Sequence, residues 1–203
     1  MGMDEIYSRR SIRKYKDEML PLEVINDILD AGRVAPSGNN KQPWKFLVYA
    51  GEKKTQLLKA MEIGVQRERK GDAKLSTYFS DPRYGSFVIA NTLHTLRAAP
   101  VIIIVINPYG KSPFEQTAAQ ERVAEIIDSL SIGAAVENML LKAQELEIGS
   151  LWVGESFWAY PELMQYLNEP GQLVCAIALG YADEAPTARP RKELKDIVDY
   201  FID

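Results

Sequence analysis

Two arginine clusters, one near each end of the chain, are the residues best suited to bind a small anion. The first cluster, residues 9–13, reads Arg-Arg-Ser-Ile-Arg, and the second is Arg189-Pro190-Arg191. Guanidinium groups bind carboxylates and phosphates through paired, charge-assisted hydrogen bonds. If residues 9–13 are helical or tightly turned, they can direct two or three cations and a hydroxyl at one oxyanion. Because turn-forming or capping residues flank both clusters, the pattern favours a compact anion over a long polyanion.

A polar loop at residues 36–43 could recognise the edge of a heterocycle. Its sequence, Pro-Ser-Gly-Asn-Asn-Lys-Gln-Pro, has a composition typical of loops. The loop carries three side-chain amides, and an amide both donates and accepts hydrogen bonds, as recognition of a heterocycle requires. Taken singly, this loop and the two arginine clusters are each common on surfaces that have no function.

Catalysis by the protein's own side chains has little support in the sequence. The single histidine, His94, lies in an apolar helical pattern, and the single cysteine, Cys175, lies in a strand pattern, so neither is expected to be catalytic. The chain contains no G-x-S-x-G elbow, no complete P-loop and no G-x-G-x-x-G fingerprint. It also lacks the several cysteines or histidines of a zinc site. We therefore expect no catalytic side chain and no metal. If the protein is an enzyme, a bound cofactor carries the chemistry.

The composition indicates one globular domain. Of the 203 residues, 46% are hydrophobic and 26% are charged, close to the average for such domains. The formal net charge is −4, whereas nucleic-acid binders usually carry a basic excess. The longest apolar run, residues 101–106, is far shorter than the about 20 residues of a membrane span, and the N-terminus has no signal pattern. We expect a single domain over residues 1–203, located in the cytoplasm, with neither nucleic acid nor membrane as a partner.

The spacing of apolar residues predicts the elements that must position these segments. Helices are expected at residues 21 to about 35, 53–65, 88–98, 118–147, 161–168 and 193–201. Strands are expected at residues 44–50, 101–106, 150–153 and 173–180. The strand at residues 101–106 is an unbroken run of branched aliphatics, which is typical of a central strand covered on both faces. The elements together predict an α+β fold in which helices cover a sheet.

The helix predicted at residues 118–147 is long for a domain of this size. Such a helix would measure about 45 Å. Its second half, residues 132–141, is apolar nearly all round, so it is expected to be buried on every side or shared with a partner chain. The polar residues 66–87 are expected to form a lid or an irregular excursion.

The motifs together resemble the FMN-dependent nitroreductase family. Residues 9–13 match that family's R-R-S-x-R opening, and residues 35–44 match its A-P-S-x-x-N-x-Q-P-W loop at every fixed position. Residues 149–154, 179–181 and 189–191 follow in the family's order, so the resemblance covers essentially the whole chain. It implies an α+β homodimer with a mostly antiparallel central sheet covered by helices. The long helix would lie at the dimer interface, together with two FMN molecules.

The resemblance also implies which residues bind FMN. Arg13 would reach the pyrimidine edge of the flavin near N1 and O2, where a cation favours the reduced form and raises the reduction potential. The FMN phosphate would be bound by Arg9, Arg10, Ser11, Arg189 and Arg191. The isoalloxazine or ribityl chain would contact Asn40 and Gln42, with Pro36 and Ser37 lining the site and Val153, Gly154 and Glu155 passing beside the ring.

The activity implied by the resemblance is reduction of an electron-poor small molecule, such as a nitroaromatic or a quinone, by NAD(P)H. Hydride would pass through flavin N5 in a ping-pong cycle in which the protein supplies orientation and electrostatics. Residues 66–87 are expected to set the acceptor. Two alternatives stay open: a non-catalytic or regulatory flavin-binding protein, and another redox specialist of the superfamily, such as a flavin-destroying synthase, a dehalogenase or an azoline oxidase. The sequence indicates neither the acceptor nor a preference for NADH or NADPH.

Overall fold

The computed structural model describes residues 4–70 and 86–202, which form helices packed on one sheet. The helices are α1 (Asp4–Ser8), α2 (Leu22–Arg33), α3 (Gly51–Lys70), α4 (Ser86–Ala98), α5 (Ala119–Glu145) and α6 (Tyr160–Leu167). The strands are β1 (Lys45–Ala50), β2 (Val101–Asn107), β3 (Ile148–Val153) and β4 (Gln172–Tyr181). Short 3₁₀ turns lie at Gly38–Asn40, Glu155–Ala159 and Leu194–Asp196. Among these helices, none is both long enough and apolar enough to cross a membrane.

The sheet has the strand order β1-β2-β4-β3, and every neighbouring pair is antiparallel. In its centre, Ile103 of β2 lies between Val48 of β1 and Ile177 of β4. All of β2 is buried, as its unbroken aliphatic run predicts. The expected antiparallel sheet is therefore confirmed.

Helices cover both faces of this sheet. Because side chains alternate along a strand, Ile102 and Ile104 of β2 pack into one apolar cluster with residues of α3, α4 and α6. Val101 and Ile103 pack into a second cluster with residues of α2 and α5. The fold is thus α+β, with the sheet between two helical layers, and its core lies along β2 and β4.

The second half of α5 is covered by the chain itself, which is the first of the two expectations for residues 132–141. Ile132, Val136 and Met139 are fully buried against α2 and the sheet. The exposed apolar side chains of α5 lie in its first half: Val123, Ile126, Ile127 and Leu130.

The helix predicted at residues 193–201 is absent. The structure has only the 3₁₀ turn Leu194–Asp196 there, and Ile197, Tyr200 and Phe201 are exposed. The apolar spacing of this tail suits a helix only where another surface buries its face, because a short isolated helix is marginal in water. No described part of this chain buries that face.

The irregular segment predicted at residues 66–87 overlaps a helix at each of its ends. Residues 66–70 continue α3 and residues 86–87 begin α4. The remaining residues, 71–85, lie outside the described part of the chain, and the predicted lid with them.

Candidate active site

A cavity of about 420 Å³ brings together the arginine clusters from the two ends of the chain. Such a volume is within the usual range of small-molecule sites. The cavity is lined by the end of α1, by the segment that follows it and by the segment after β4. Its guanidinium and hydroxyl groups belong to Arg9, Arg10, Ser11, Arg13, Arg189 and Arg191. The six residues predicted to bind the phosphate and the pyrimidine edge therefore share one cavity.

Backbone pairing with the sheet holds the first arginine cluster in place. The Ile12 amide donates to the Ser150 carbonyl of β3 at 2.9 Å, and the Lys16 amide donates to the Tyr181 carbonyl of β4, also at 2.9 Å. The buried Tyr15 hydroxyl donates to the Ile12 carbonyl at 2.7 Å, and its burial raises the pKa of Tyr15. The segment is thus fixed to the ends of two strands.

Glu184 gives this segment a second anchor. Its Oε1 accepts hydrogen bonds from the backbone amides of Arg13 at 2.5 Å and of Lys14 at 3.2 Å. The carboxylate therefore contacts the backbone of Arg13 and leaves the guanidinium free to bind another group. Glu184 lies three residues after the end of β4, and the neighbouring Asp183 amide donates to the Lys14 carbonyl at 2.9 Å.

The charges of the cavity are poorly compensated by the protein. Among the described residues, no carboxylate forms an ion pair with Arg10, Arg13, Arg189 or Arg191. Arg10 Nη1 donates to the Tyr7 carbonyl at 2.6 Å, and Arg13 Nη1 donates to the Ser11 carbonyl at 3.2 Å.

Arg9 gives the clearest sign of a missing partner. Its Nε is buried and has no hydrogen-bond partner, and the Glu137 carboxylate lies 3.6 Å away, too far for a hydrogen bond. A buried donor without a hydrogen-bond partner is costly. The guanidinium groups of the five arginines and the Ser11 hydroxyl that line the cavity are a donor set that fits the phosphate of FMN.

The loop predicted to contact the flavin ring lies elsewhere in the chain. Pro36, Ser37, Asn40 and Gln42 do not line the arginine cavity. The loop packs on the first half of α5, where the Gly38 amide donates to Ser131 Oγ at 3.2 Å. Arg9 meets the same helix at Glu137, which is about 9 Å farther along its axis than the loop's contact at Ser131 and about 14 Å farther than its contact at Asp128. In one copy of the chain, the two halves of the predicted site are therefore separate.

The loop has an unusual backbone that presents its amides to solvent. Asn39, Asn40 and Gln42 have φ angles of 52°, 54° and 52°, in the left-handed region. Asparagine adopts this region more readily than glutamine. The Gln42 amide donates to Ser37 Oγ at 2.9 Å, and Gln42 Nε2 lies 3.3 Å from Asn40 Oδ1. The side chains of Asn40 and Gln42 are thus adjacent and exposed.

The segment predicted to pass beside the ring lies at the end of β3. The Val153 side chain is 1% exposed and belongs to the core, so only its backbone is available to a ligand. Gly154 is exposed, and a Cβ placed on it would meet no atom within 4 Å. Glu155 begins the 3₁₀ turn that follows. Open space beside Gly154 is what the close approach of a planar group requires.

The single cysteine and the single histidine do not line the arginine cavity. Cys175 is buried in β4, and its burial raises the pKa of the thiol to about 12, so it stays protonated at neutral pH. His94 lies on the exposed surface of α4.

Several residues that contact the segments of the candidate site were not predicted from the sequence. Glu184 is one of them, because its role depends on a contact with Arg13, 171 positions earlier in the chain. Asp128 and Ser131 stand on α5 and contact the loop, with Asp128 Oδ2 2.6 Å from Lys41 Nζ. The sequence does indicate these two residues, because Asp128 and Ser131 are polar residues at a spacing of three that interrupt an otherwise apolar helix face.

Comparison with known proteins places the chain in a family. The model of the Nitroreductase family matches residues 6–181. YfhC of Bacillus subtilis, provisionally named an NAD(P)H nitroreductase, is 28% identical over 95% of this chain and 90% of its own length. The iodotyrosine deiodinase of Thermotoga neapolitana is 27% identical over 96% of this chain and 95% of its own length.

A solved structure is similar to this chain over nearly the full length of both. It is that of a protein from Desulfovibrio desulfuricans, provisionally named a nitroreductase and crystallised with FMN. It superposes with a TM-score of 0.69 at 28% identity, covering 99% of this chain and 97% of that one. The sequence motifs, the sheet and the matched span agree, and the chain belongs to the nitroreductase family.

Proposed function

We propose that this protein is an FMN-dependent oxidoreductase that uses NAD(P)H to reduce an electron-poor small molecule. One observation carries the proposal: a cavity with five arginines, four of which form no ion pair with a carboxylate of the described residues. A family relative crystallised with FMN and a relative named for NAD(P)H support the choice of cofactor and electron donor.

The residues of the cavity divide into two roles. Arg9, Arg10, Ser11, Arg189 and Arg191 bind the phosphate, because paired guanidinium groups suit a dianion. Arg13 lies in the same cavity, with its backbone fixed by Glu184, and supplies a cation to the pyrimidine edge of the ring.

The protein itself contributes binding and electrostatics to the reaction. The bound cofactor supplies hydride transfer between NAD(P)H and the acceptor. If NAD(P)H and the acceptor bind in turn at one site beside the cofactor, the kinetics would be ping-pong. The exposed amides of Asn40 and Gln42 and the open space at Gly154 orient the ring and leave room beside it.

A second copy of the chain completes the site. The arginine cavity and the amide loop are separate within one copy, and the exposed apolar residues Ile126, Ile127 and Leu130 adjoin the loop's contacts on α5. A two-fold dimer would cover this face and bring the loop of one copy to the cavity of the other. The homodimer would then hold two FMN molecules at its interface.

The test begins with the purified protein, its flavin and its electron donor. We expect denaturation to release FMN, and anaerobic NADH or NADPH to bleach the yellow protein. Nitroaromatics and quinones should then reoxidise it. Release of FAD alone would contradict the cofactor, and an FMN-loaded protein that neither nucleotide bleaches would be a non-catalytic flavin binder.

A second candidate reaction is reductive dehalogenation. It is favoured by the similarity to the iodotyrosine deiodinase, which extends over nearly the full length of both chains. The two reactions separate in one experiment, in which the reduced protein receives either an iodinated tyrosine or a nitroaromatic. Iodide release at a rate above that of nitroaromatic reduction would make dehalogenation the principal activity.

A further inference from the structure

The amide loop has a strained backbone that is held by hydrogen bonds within the loop and by contacts outside it. Lys41 is right-handed, with φ −66° and ψ −30°, while its neighbours Asn40 and Gln42 are both left-handed. Left-handed conformations in residues other than glycine persist only where surrounding structure imposes them, and they concentrate at functional sites. The contacts of Lys41 are therefore the place to look for what shapes the loop.

Lys41 reaches a buried carboxylate on α5. Its Nζ lies 2.6 Å from Asp128 Oδ2, and the Asp128 side chain is only 5% exposed. Asn107, at the end of β2, donates from Nδ2 to the same oxygen at 3.4 Å. The Lys41 ammonium also lies 4.6 Å from the centroid of the Tyr109 ring. We call these four residues the Asp128 latch.

The burial of Asp128 calls for a reason other than stability. Burying a carboxylate carries a desolvation cost, and an ion pair with Lys41, whose side chain is 38% exposed, recovers little more than that cost. Buried polar groups do, however, fix geometry, and this one fixes the residue between the two amides. A nearby pair shows the contrast: Lys111 Nζ lies 2.6 Å from Glu121 Oε1, but their side chains are 50% and 46% exposed.

We propose that Asp128 is a positioning residue for the flavin site: by holding Lys41, its carboxylate keeps the loop in the conformation that presents Asn40 and Gln42 to the ring. This inference rests on the proposed function, since the loop needs a flavin to present its amides to. Ser131 assists by accepting the Gly38 amide at the start of the loop.

The test compares Asp128→Asn, Lys41→Met and the double variant with the parent protein. The matched control is Lys142→Met, which breaks an ion pair with Glu145, at 3.0 Å, fourteen residues farther along α5 than Asp128. FMN affinity is measured by quenching of flavin fluorescence, the ring environment by the visible spectrum of bound FMN, and loop order by hydrogen exchange at residues 38–42 without flavin.

We expect the latch variants to exchange faster in the loop, to bind FMN about tenfold more weakly and to shift the spectrum of bound FMN. The double variant should bind FMN no more weakly than the single variant that binds it more weakly. Both substitutions remove the same contact, the one between Lys41 and Asp128. Lys142→Met should match the parent. If Asp128→Asn does not fold, the Lys41→Met variant tests the same contact from the loop.

The outcomes separate the two proposals. If the parent binds FMN and the latch variants keep its affinity and spectrum, the latch does not position the loop, even if their melting temperatures fall. If the double variant lost FMN affinity by the product of the two single-variant factors, the substitutions would act independently, and the inference would also be overturned. If the parent binds no FMN, the proposed function fails, and the inference fails with it.

Discussion

The arginines of the cavity differ in what holds them, and so they should differ in what their removal changes. The backbone of Arg13 is fixed by Glu184 and by the pairing of residues 11–16 with the strand ends. Arg191 extends from the exposed segment after β4, and its Nη1 contacts only backbone carbonyls, at 3.4 and 3.5 Å. A cation on a fixed backbone can be held beside a bound ring, whereas one on an exposed segment mainly adds affinity.

Substitution of Arg191 should therefore act on binding. We expect Arg191→Ala to weaken FMN binding roughly ten- to hundred-fold, the value of one charge-assisted hydrogen bond. Turnover should largely recover when FMN is saturating, because the phosphate is remote from the reacting atoms. Titration of the stripped protein, followed by assays across FMN concentrations, measures both effects. A turnover that stays low at saturation would place Arg191 beside the ring.

Substitution of Arg13 should act on the chemistry. Without a cation at the pyrimidine edge, negative charge on the ring is less stabilised, so we expect Arg13→Ala to lower the flavin midpoint potential and slow its anaerobic reduction by NAD(P)H even when FMN is fully bound. Arg13→Lys should recover part of the potential. A parent-like potential and rate in the alanine variant would assign Arg13 to the phosphate instead.

The success of the sequence predictions depends on whether a residue's role is local or long-range. The arginine clusters could be identified because each is a short run with one obvious chemistry. Glu184 and Asp128 were missed since their roles come from contacts with Arg13 and Lys41, far away in the sequence. The loop's left-handed residues are equally invisible, because neither asparagine nor glutamine requires that conformation.

Among the elements, the position of β2 and the bounds of α5 were predicted well, whereas the surface that covers the second half of α5 was left open. A strand made of an unbroken aliphatic run buries its side chains on both faces only at the centre of a covered sheet, and β2 has that position. An apolar helix half can be buried by its own chain or by a partner, and periodicity cannot distinguish the two. For residues 132–141 the chain's own α2 and sheet provide the burial.

The contact between α3 and the 3₁₀ turn Glu155–Ala159 gives a prediction at this scale. A Cβ on Gly64 would lie 2.5 Å from Ala159 Cβ and 2.6 Å from Ala159 Cα, so the two elements would have to separate. We expect Gly64→Ala to destabilise the fold by about 1–3 kcal/mol, as overpacking of a core does. Gly154→Ala is the matched control, because its added methyl meets no protein atom. Denaturant unfolding of both variants measures the difference, and equal midpoints would contradict it.

For the whole molecule, the exposed apolar surface is distributed as a dimer would require. The first half of α5 exposes Ile126 and Leu130, which are 55% and 70% exposed, beside the loop that carries the amides. The C-terminal tail exposes Phe201, which is 94% exposed and contacts nothing that could bury it in the described chain. Apolar groups clustered in this way mark an interaction surface. Since the two halves of the candidate site are separate in one copy, assembly and flavin binding should be coupled.

That coupling can be tested with one charge placed on α5. Light scattering of the parent should give roughly twice the 22.8 kDa chain mass. Leu130→Arg puts a cation into the proposed interface and should yield a monomer that has also lost most of its FMN affinity, because the partner's loop is gone. Ile63→Arg is the control, since Ile63 on α3 is 59% exposed on the opposite side of the sheet. A folded Leu130→Arg monomer that binds FMN as tightly as the parent would show that one copy holds the complete site.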